Sequence, residues 1–156
     1  MVTITGNRIS LTPKEMPARW YNVEADLPFR VPPMTSPTGF PVTARELEPL
    51  FPKQIIEHEL NFKTRTFNIP KEIRQAYQLW RPTPMFRARA LESELGTPAR
   101  LFYKVEGGSP SGSYESNTAI PQAFFTKQIG AEGIVTGGAG GVWISAIGHA
   151  AALFGL

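Results

Sequence analysis

Apolar positions follow two patterns along this chain, and the pattern changes near residue 99. Up to Pro98, short apolar groups alternate with prolines, and 13 of the 15 prolines lie at or before that residue. From Val105 onward the apolar runs are longer, and only four residues carry charge: Glu106, Glu115, Lys127 and Glu132. Runs without a polar face are typical of strands and helices buried in an α/β core. We therefore predict a proline-rich arm over residues 1–80, lying extended over a surface, and an incomplete α/β lobe over residues 81–156.

Three short helices are predicted before the change of pattern. Thr43 and Glu46 have the spacing of a capping box, which predicts a helix that begins there and ends near Pro49. Pro70 suits the first turn of a second helix, which we expect to run to about Leu79. A third helix is predicted from about Ala88 to Leu95, because Gly96 is a good C-terminal cap.

The last third alternates between strand and helix patterns. We predict strands at Arg100–Val105 and Gly133–Thr136 and helices at 117–128 and 142–154, the helices ended by Gly130 and Gly155. Asn117 is expected to cap the first of these helices, and Pro121 to fall in its first turn, where a missing N–H costs little. Strand, helix, strand, helix predicts a parallel sheet with right-handed crossovers.

Composition and charge narrow the possible partners. The chain has 156 residues, which suits one domain or one lobe of a larger one, and a net charge of +3 without a basic block. We therefore expect no nucleic-acid partner. No apolar run reaches the roughly 18 residues of a membrane span, so we expect no membrane association. The N-terminus lacks the pattern of a signal peptide, which predicts a cytoplasmic location.

One loop carries the clearest resemblance to a known family. Residues 109–119 have the sequence S-P-S-G-S-Y-E-S-N-T-A. This resembles the S-P-x-G-S-H-K-P-N-T-A lysine loop of tryptophan synthase beta chains, which are pyridoxal phosphate enzymes of fold type II. Further segments resemble the form of that chain with a long N-terminal extension, in the same order: Trp20–Asn22, Ala25–Pro28, Arg81–Pro84, Thr97–Arg100 and Tyr103–Gly107. The resemblance implies part of the N-terminal lobe of that fold and an enzyme that joins indole and serine into tryptophan.

The sequence departs from the family where the chemistry takes place. At the position of the Schiff-base lysine stands Glu115, and the histidine before it is replaced by Tyr114. The family's second signature, T-E-T-G-A-G-Q-W-G-S-A, aligns with T-G-G-A-G-G-V-W-I-S-A, so that Gly137 replaces the catalytic glutamate. By resemblance, Tyr114 and Asn117 belong to the cofactor site. The resemblance also implies that the amides of a glycine-rich turn hold the substrate carboxylate, here Gly138, Ala139, Gly140 and Gly141.

These departures predict family membership without activity. A carboxylate forms no imine, so we expect no covalent binding of pyridoxal phosphate, the cofactor that the family implies. The family's phosphate-binding loop and its second lobe do not occur in these 156 residues. The alternative is a non-catalytic interaction module that associates with itself or docks on a full-length homologous subunit through exposed apolar surface. We predict no metal site.

Several residues permit other interpretations. Glu115 suits a new catalytic acid, paired with Glu106 as in glycosidases, or a charge placed favourably at the start of a helix. The turn at 137–141 suits a phosphate, but it lacks both the dinucleotide and the P-loop pattern. His149 is expected to pack within its helix. Lys104 is a possible substitute amine, but we predict no rescue because it lies in a strand.

Overall fold

The computed structural model describes residues 2–156 and contains two antiparallel sheets. The larger sheet has the order β1 (Thr3–Thr5), β2 (Arg8–Ser10), β5 (Met85–Arg87) and β6 (Phe102–Lys104). The smaller sheet pairs β3 (Arg19–Tyr21) with β4 (Thr66–Asn68). In the larger sheet Ile9 lies opposite Met85, and Phe86 lies opposite Tyr103, with their rings stacked at 5.6 Å. The larger sheet thus joins strands from the beginning of the chain to strands from its middle part.

The structure contains six α-helices within residues 2–156, and the last two along the chain are the longest of them. Their bounds are α1 (Ala44–Leu47), α2 (Lys53–Glu59), α3 (Lys71–Tyr77), α4 (Arg89–Glu94), α5 (Ser116–Gln128) and α6 (Val142–Phe154). Short 3-10 helices occupy Pro13–Glu15 and Val23–Asp26. Together with the two sheets they confirm the mixed α/β class. No helix within residues 2–156 is both long and apolar enough to cross a membrane.

The observed helix ends agree with the predicted ends where a local capping residue determines them. The bounds of α6 are those predicted, with Gly155 in the left-handed region at φ 68°. At α1 the backbone N–H of Thr43 donates to the Glu46 carboxylate over 2.8 Å, so the predicted capping box is confirmed. The helices α3 and α4 are shorter by one or two residues at their ends than predicted. The helix α2 and the strands β1 to β5 were not predicted.

The predicted parallel sheet is wrong for the part of the chain that the structure describes. Every strand pair among residues 2–156 is antiparallel, and β6 pairs with β5 instead of with a strand at 133–136. The segment Gly133–Thr136 forms no strand, and Val135 is 102% exposed. A strand requires a neighbour that pairs its backbone groups, and this segment has none. In this irregular connection Ile134 packs against the hydrophobic core, whereas Val135 and Thr136 are exposed to water.

Residues 2–80 contain more regular structure than a proline-rich arm implies. They supply four strands and three α-helices, and they place Ile69, Ile73 and Tyr77 in the main hydrophobic core. The strands β1 and β2 of this segment continue the sheet of β5 and β6. The boundary near residue 80 stays a prediction, and the larger sheet crosses it.

The core is built around α5. Ala119, Ile120 and Ala123 on this helix are completely buried. On one side they meet α6 through a stripe that contains Ala146 and Ala150, and small side chains allow two helices to approach closely. On other sides α5 contacts α3 and α2. A helix covered on several sides needs no polar face, which explains its unbroken apolar pattern.

Pro121 lies inside α5, beyond the first turn in which it was predicted, and it removes a hydrogen bond from the helix. It is the sixth residue of the helix, and it lacks the N–H that would bond to the carbonyl of Asn117 four residues earlier. That carbonyl instead accepts a hydrogen bond of 2.6 Å from the hydroxyl of Tyr77, which is 2% exposed. The phenol of α3 thus replaces the missing amide of α5, because a buried carbonyl without a donor is costly.

This replacement predicts a specific non-additivity. We expect Tyr77→Phe to lower the free energy of unfolding by about 1–3 kcal/mol, because the Asn117 carbonyl loses its donor. In a Pro121→Ala background, where the amide is restored, the same substitution should cost less by about 1 kcal/mol. Urea unfolding of the two single variants and the double variant measures the difference. Tyr103→Phe, which changes an exposed hydroxyl, is the control, and equal penalties in both backgrounds would contradict the replacement.

Candidate functional site

The loop before α5 closes on itself through serine side chains. Ser109 is buried, and its hydroxyl donates to the Ser113 carbonyl at 2.5 Å and accepts from the Ser113 amide at 3.0 Å. Gly112 has a φ of 70°, which a side chain rarely permits, and its amide donates to the Ser109 carbonyl at 2.9 Å. These bonds make a tight turn.

Further serine hydroxyls join the turn to the helix. The hydroxyl of Ser111 lies 2.7 Å from that of Ser116 and 3.2 Å from that of Ser113. The Ser113 hydroxyl also accepts from the amide of Glu115 at 3.2 Å. The loop therefore uses its hydroxyls to hold its own backbone. Within residues 2–156 no histidine is hydrogen-bonded to these serines, so they lack the base that serine nucleophiles require.

Glu115 lies at the N-cap position of α5, directly before Ser116. Its side chain is half-buried, and its Oε2 atom is buried without a hydrogen-bond partner in the described structure. The adjacent Tyr114 is 69% exposed and makes no contact with this oxygen that is close enough for a hydrogen bond. The structure thus places a carboxylate, partly withdrawn from water, at the start of the central helix.

Asn117 does not cap α5 as predicted, because it is the second residue of the helix. Its side-chain amide instead donates to Glu106 Oε2 at 3.0 Å. Glu106 Oε1 accepts a second bond, of 2.6 Å, from the hydroxyl of the buried Thr83. The alternative interpretation paired Glu106 with Glu115, but the two side chains are not hydrogen-bonded to each other, and both oxygens of Glu106 accept from other residues. Glu106 therefore anchors the start of α5 to the segment before β5.

Lys104 completes this cluster. Its ammonium donates to the backbone carbonyl of Thr83, and burial lowers the pKa of its amine, with the nearby Glu106 opposing that shift. Glu106, Asn117 and Lys104 were each considered from the sequence, whereas Thr83 was not assigned a role. The sequence feature that could have indicated Thr83 is its position between Pro82 and Pro84, because the residue before a proline has a restricted backbone.

The glycine-rich turn precedes α6 and is open to solvent. Gly140 and Gly141 have φ values of 75° and 76°, so two successive residues adopt the left-handed conformation as the chain enters the helix. The indole N–H of Trp143 donates to the Thr136 hydroxyl at 2.8 Å, which closes the turn. A Cβ on Gly138 would lie 3.2 Å from the Trp143 side chain. Gly137 and Ala139 are exposed, and no hydrogen bond connects the turn to the serine loop within residues 2–156.

His149 lies on α6 and is half-buried. Its Nε2 atom is buried and has no hydrogen-bond partner in the described structure. Its neighbour Ala150 belongs to the stripe that faces α5. This placement agrees with the prediction of a histidine packed within its helix.

This chain is similar to known proteins that are named as tryptophan synthase beta chains. The tryptophan synthase beta chain 2 of Thermotoga maritima is 45% identical over 149 residues, which are 95% of this chain and 35% of that protein. The protein of the same name from Methanosarcina mazei is 45% identical over 150 residues, and that from Pyrococcus furiosus is 41% identical over 151 residues; each is covered to 34% of its length. The chain thus spans about a third of the length of these relatives. No family model matches the chain.

The cluster around Glu106 generates a prediction about stability. We expect Asn117→Ala to lower the free energy of unfolding by about 1–2 kcal/mol, because Glu106 loses a donor to its partly buried carboxylate. Thr118→Ala, at the next and exposed position of the same helix, is the matched control and should change it by less than about 0.5 kcal/mol. Thermal and urea unfolding measure both. Equal effects of the two substitutions would show that the Asn117 side chain contributes nothing specific.

Proposed function

We propose that this chain, a homologue of part of the tryptophan synthase beta chain, does not carry out covalent pyridoxal phosphate chemistry. The observation that carries the proposal is Glu115, a carboxylate with a buried oxygen at the position where the family's motif has its lysine. The relatives are named tryptophan synthase beta chain 2, so the activity in question for this chain is the synthesis of tryptophan.

The residues around the loop do not fit the cofactor. A Schiff base requires a neutral amine, and Glu115 supplies only oxygens. The loop hydroxyls bond to one another and to the loop backbone, and Tyr114 is 69% exposed and forms no hydrogen bond with the buried carboxylate oxygen. Asn117, the other residue that the resemblance placed in the cofactor site, is held by Glu106. We therefore derive no reaction step through pyridoxal phosphate.

The glycine-rich turn supports the same proposal. Gly137 has no carboxylate that could transfer a proton, so the acid–base group that the resemblance implies is also missing. The turn from Gly138 to Gly141 retains backbone amides at the start of α6, a 13-residue helix. Such amides suit a carboxylate, which would give binding without chemistry.

A trapping experiment tests the proposal. We expect the 156-residue chain, incubated with pyridoxal phosphate and reduced with borohydride, to carry no stoichiometric label at a single lysine, as measured by peptide mass spectrometry. We also expect no tryptophan from indole and serine, either from this chain or from the Glu115→Lys, Gly137→Glu double variant. Lys104→Arg is the control, because Lys104 is the amine whose pKa burial lowers. A stoichiometric label at Lys104 that this variant abolishes would overturn the proposal.

A second candidate function is a non-catalytic interaction module, and the surface of α6 favours it. Apolar side chains remain exposed on both sides of the stripe that faces α5, including Ile144 at 49% and Leu153 at 41%. Phe102 and Tyr103 are also exposed, on the strand β6 at the edge of the larger sheet. Exposed apolar surface and an unpaired strand edge are typical of association sites. A second copy of this chain, or a full-length homologous subunit, would cover them.

Sedimentation velocity tests the interaction module. We expect the chain to self-associate with rising concentration, and the Ile144→Glu, Leu153→Glu double variant to shift that equilibrium toward monomer by about tenfold or more, because a buried charge opposes association. Gln54→Glu with Gln75→Glu adds the same charge at exposed polar positions of α2 and α3 and is the matched control. A monomer at every concentration, or equal behaviour of both double variants, would contradict self-association through α6.

A further inference from the structure

A cavity of about 510 Å³ lies apart from the serine loop, between the arm and the outer side of α5. Residues of α1, α2, β3 and α5 line it, and most of them are apolar. Six of the lining side chains have flat rings: Trp20, Tyr21, Phe51, His58, Phe67 and Phe125. Pockets of this size, with apolar walls and a few polar groups, are typical of small-molecule sites.

The rings are arranged around His58. Its imidazole stacks on Phe67 with the ring centres 4.1 Å apart, and it meets Trp20 and Phe125 edge-on at 5.9 Å and 6.1 Å. Burial lowers the pKa of the imidazole, although Glu57 opposes the shift, and a lowered pKa favours the neutral form. A neutral imidazole has one donor and one acceptor, and the His58 imidazole forms no hydrogen bond within residues 2–156. The cavity therefore has flat apolar walls and an unused polar group.

Charge at the cavity has one sign. Glu59 is the single charged residue among the described residues that line the cavity. It forms no ion pair within residues 2–156, whereas Glu57 on the same helix lies 3.6 Å from Lys53. Electron-rich ring faces attract cations, and an unpaired carboxylate adds to that attraction. An anion at the same place would be repelled by Glu59.

We propose that this cavity binds a planar aromatic molecule that carries a positively charged nitrogen. The aromatic part stacks among Trp20, Phe51 and Phe125, and the cation lies toward the carboxylate of Glu59. Stacking between rings supplies the orientation, because offset or edge-on contacts are preferred over others. No residue from Ser109 to Asn117 lines the cavity, and Thr118 is the single member of the resembling loop among the described residues that line it. The proposal therefore does not depend on whether the chain is catalytically silent.

Three probes of similar size and different charge test the proposal on the 156-residue chain. We expect 2-phenylethylamine, a cation at neutral pH, to bind more tightly than 2-phenylethanol, and 3-phenylpropionate to bind least. Isothermal titration calorimetry gives the affinities, and nuclear magnetic resonance shift changes at the Trp20 and His58 rings locate the site. Phe51→Leu, at an exposed edge of the cavity, should weaken the amine and the alcohol alike, since it removes a ring wall.

Two glutamates on α2 provide the matched comparison. Glu59→Gln should weaken the amine about threefold and leave the alcohol unchanged, because exposed charge pairs contribute little more than this. Glu57→Gln removes an exposed charge that already has a partner, and it should leave both affinities unchanged. Absence of saturable binding by the amine, equal affinities for all three probes, or equal effects of the two substitutions would each overturn the proposal.

Discussion

The carbonyl oxygen of Asn117 is the point on which the described structure depends. Pro121 deprives it of its helical donor, and the hydroxyl of Tyr77 takes that place at 2.6 Å. Burial raises the pKa of Tyr77 to about 12, so the phenol remains a donor across the physiological range. The side chain of the same Asn117 is bound to Glu106. One residue thus connects α5 both to α3 and to the segment that follows β6.

The two contacts of Asn117 explain why the serine loop is a tight turn. They fix the first turn of α5 relative to α3 and Glu106, so the few residues between Glu106 and Ser116 must form a compact connection. They do so as a turn stabilised by the hydroxyls of Ser109, Ser111 and Ser113. The single hydrogen that the Ser109 hydroxyl can donate is thus used within the loop. Glu115 is carried to the start of the helix by the same turn, and its buried oxygen is left without a donor.

Elements with local causes could be predicted from the sequence. The capping box at Thr43 and the glycine after α6 act over a few residues, and both were placed correctly. The antiparallel pairing was not predicted, and the prediction of a parallel sheet was wrong, because a strand at 133–136 depends on a distant partner that the described residues do not provide. The hydrogen bond between Thr83 and Glu106 joins residues 23 positions apart, and the Asn117 carbonyl accepts its hydrogen bond from Tyr77, 40 positions away. No pattern of residue spacing in the sequence predicts contacts over such separations.

Overall sequence identity to a family and the ability to catalyse that family's reaction depend on different sets of residues. The identities of 41–45% to tryptophan synthase beta chains are counted over 149 to 151 residues, which is nearly the whole length of this chain. Covalent catalysis depends on an amine at one position and a carboxylate at another, and residues that act as a unit fail together when one is lost. Glu115 lies at the start of a helix, where negative charge is favoured, so a carboxylate at this position is compatible with folding. Under the proposed function, the fold would persist although its reacting groups had changed, since folding does not require the groups that catalysis requires.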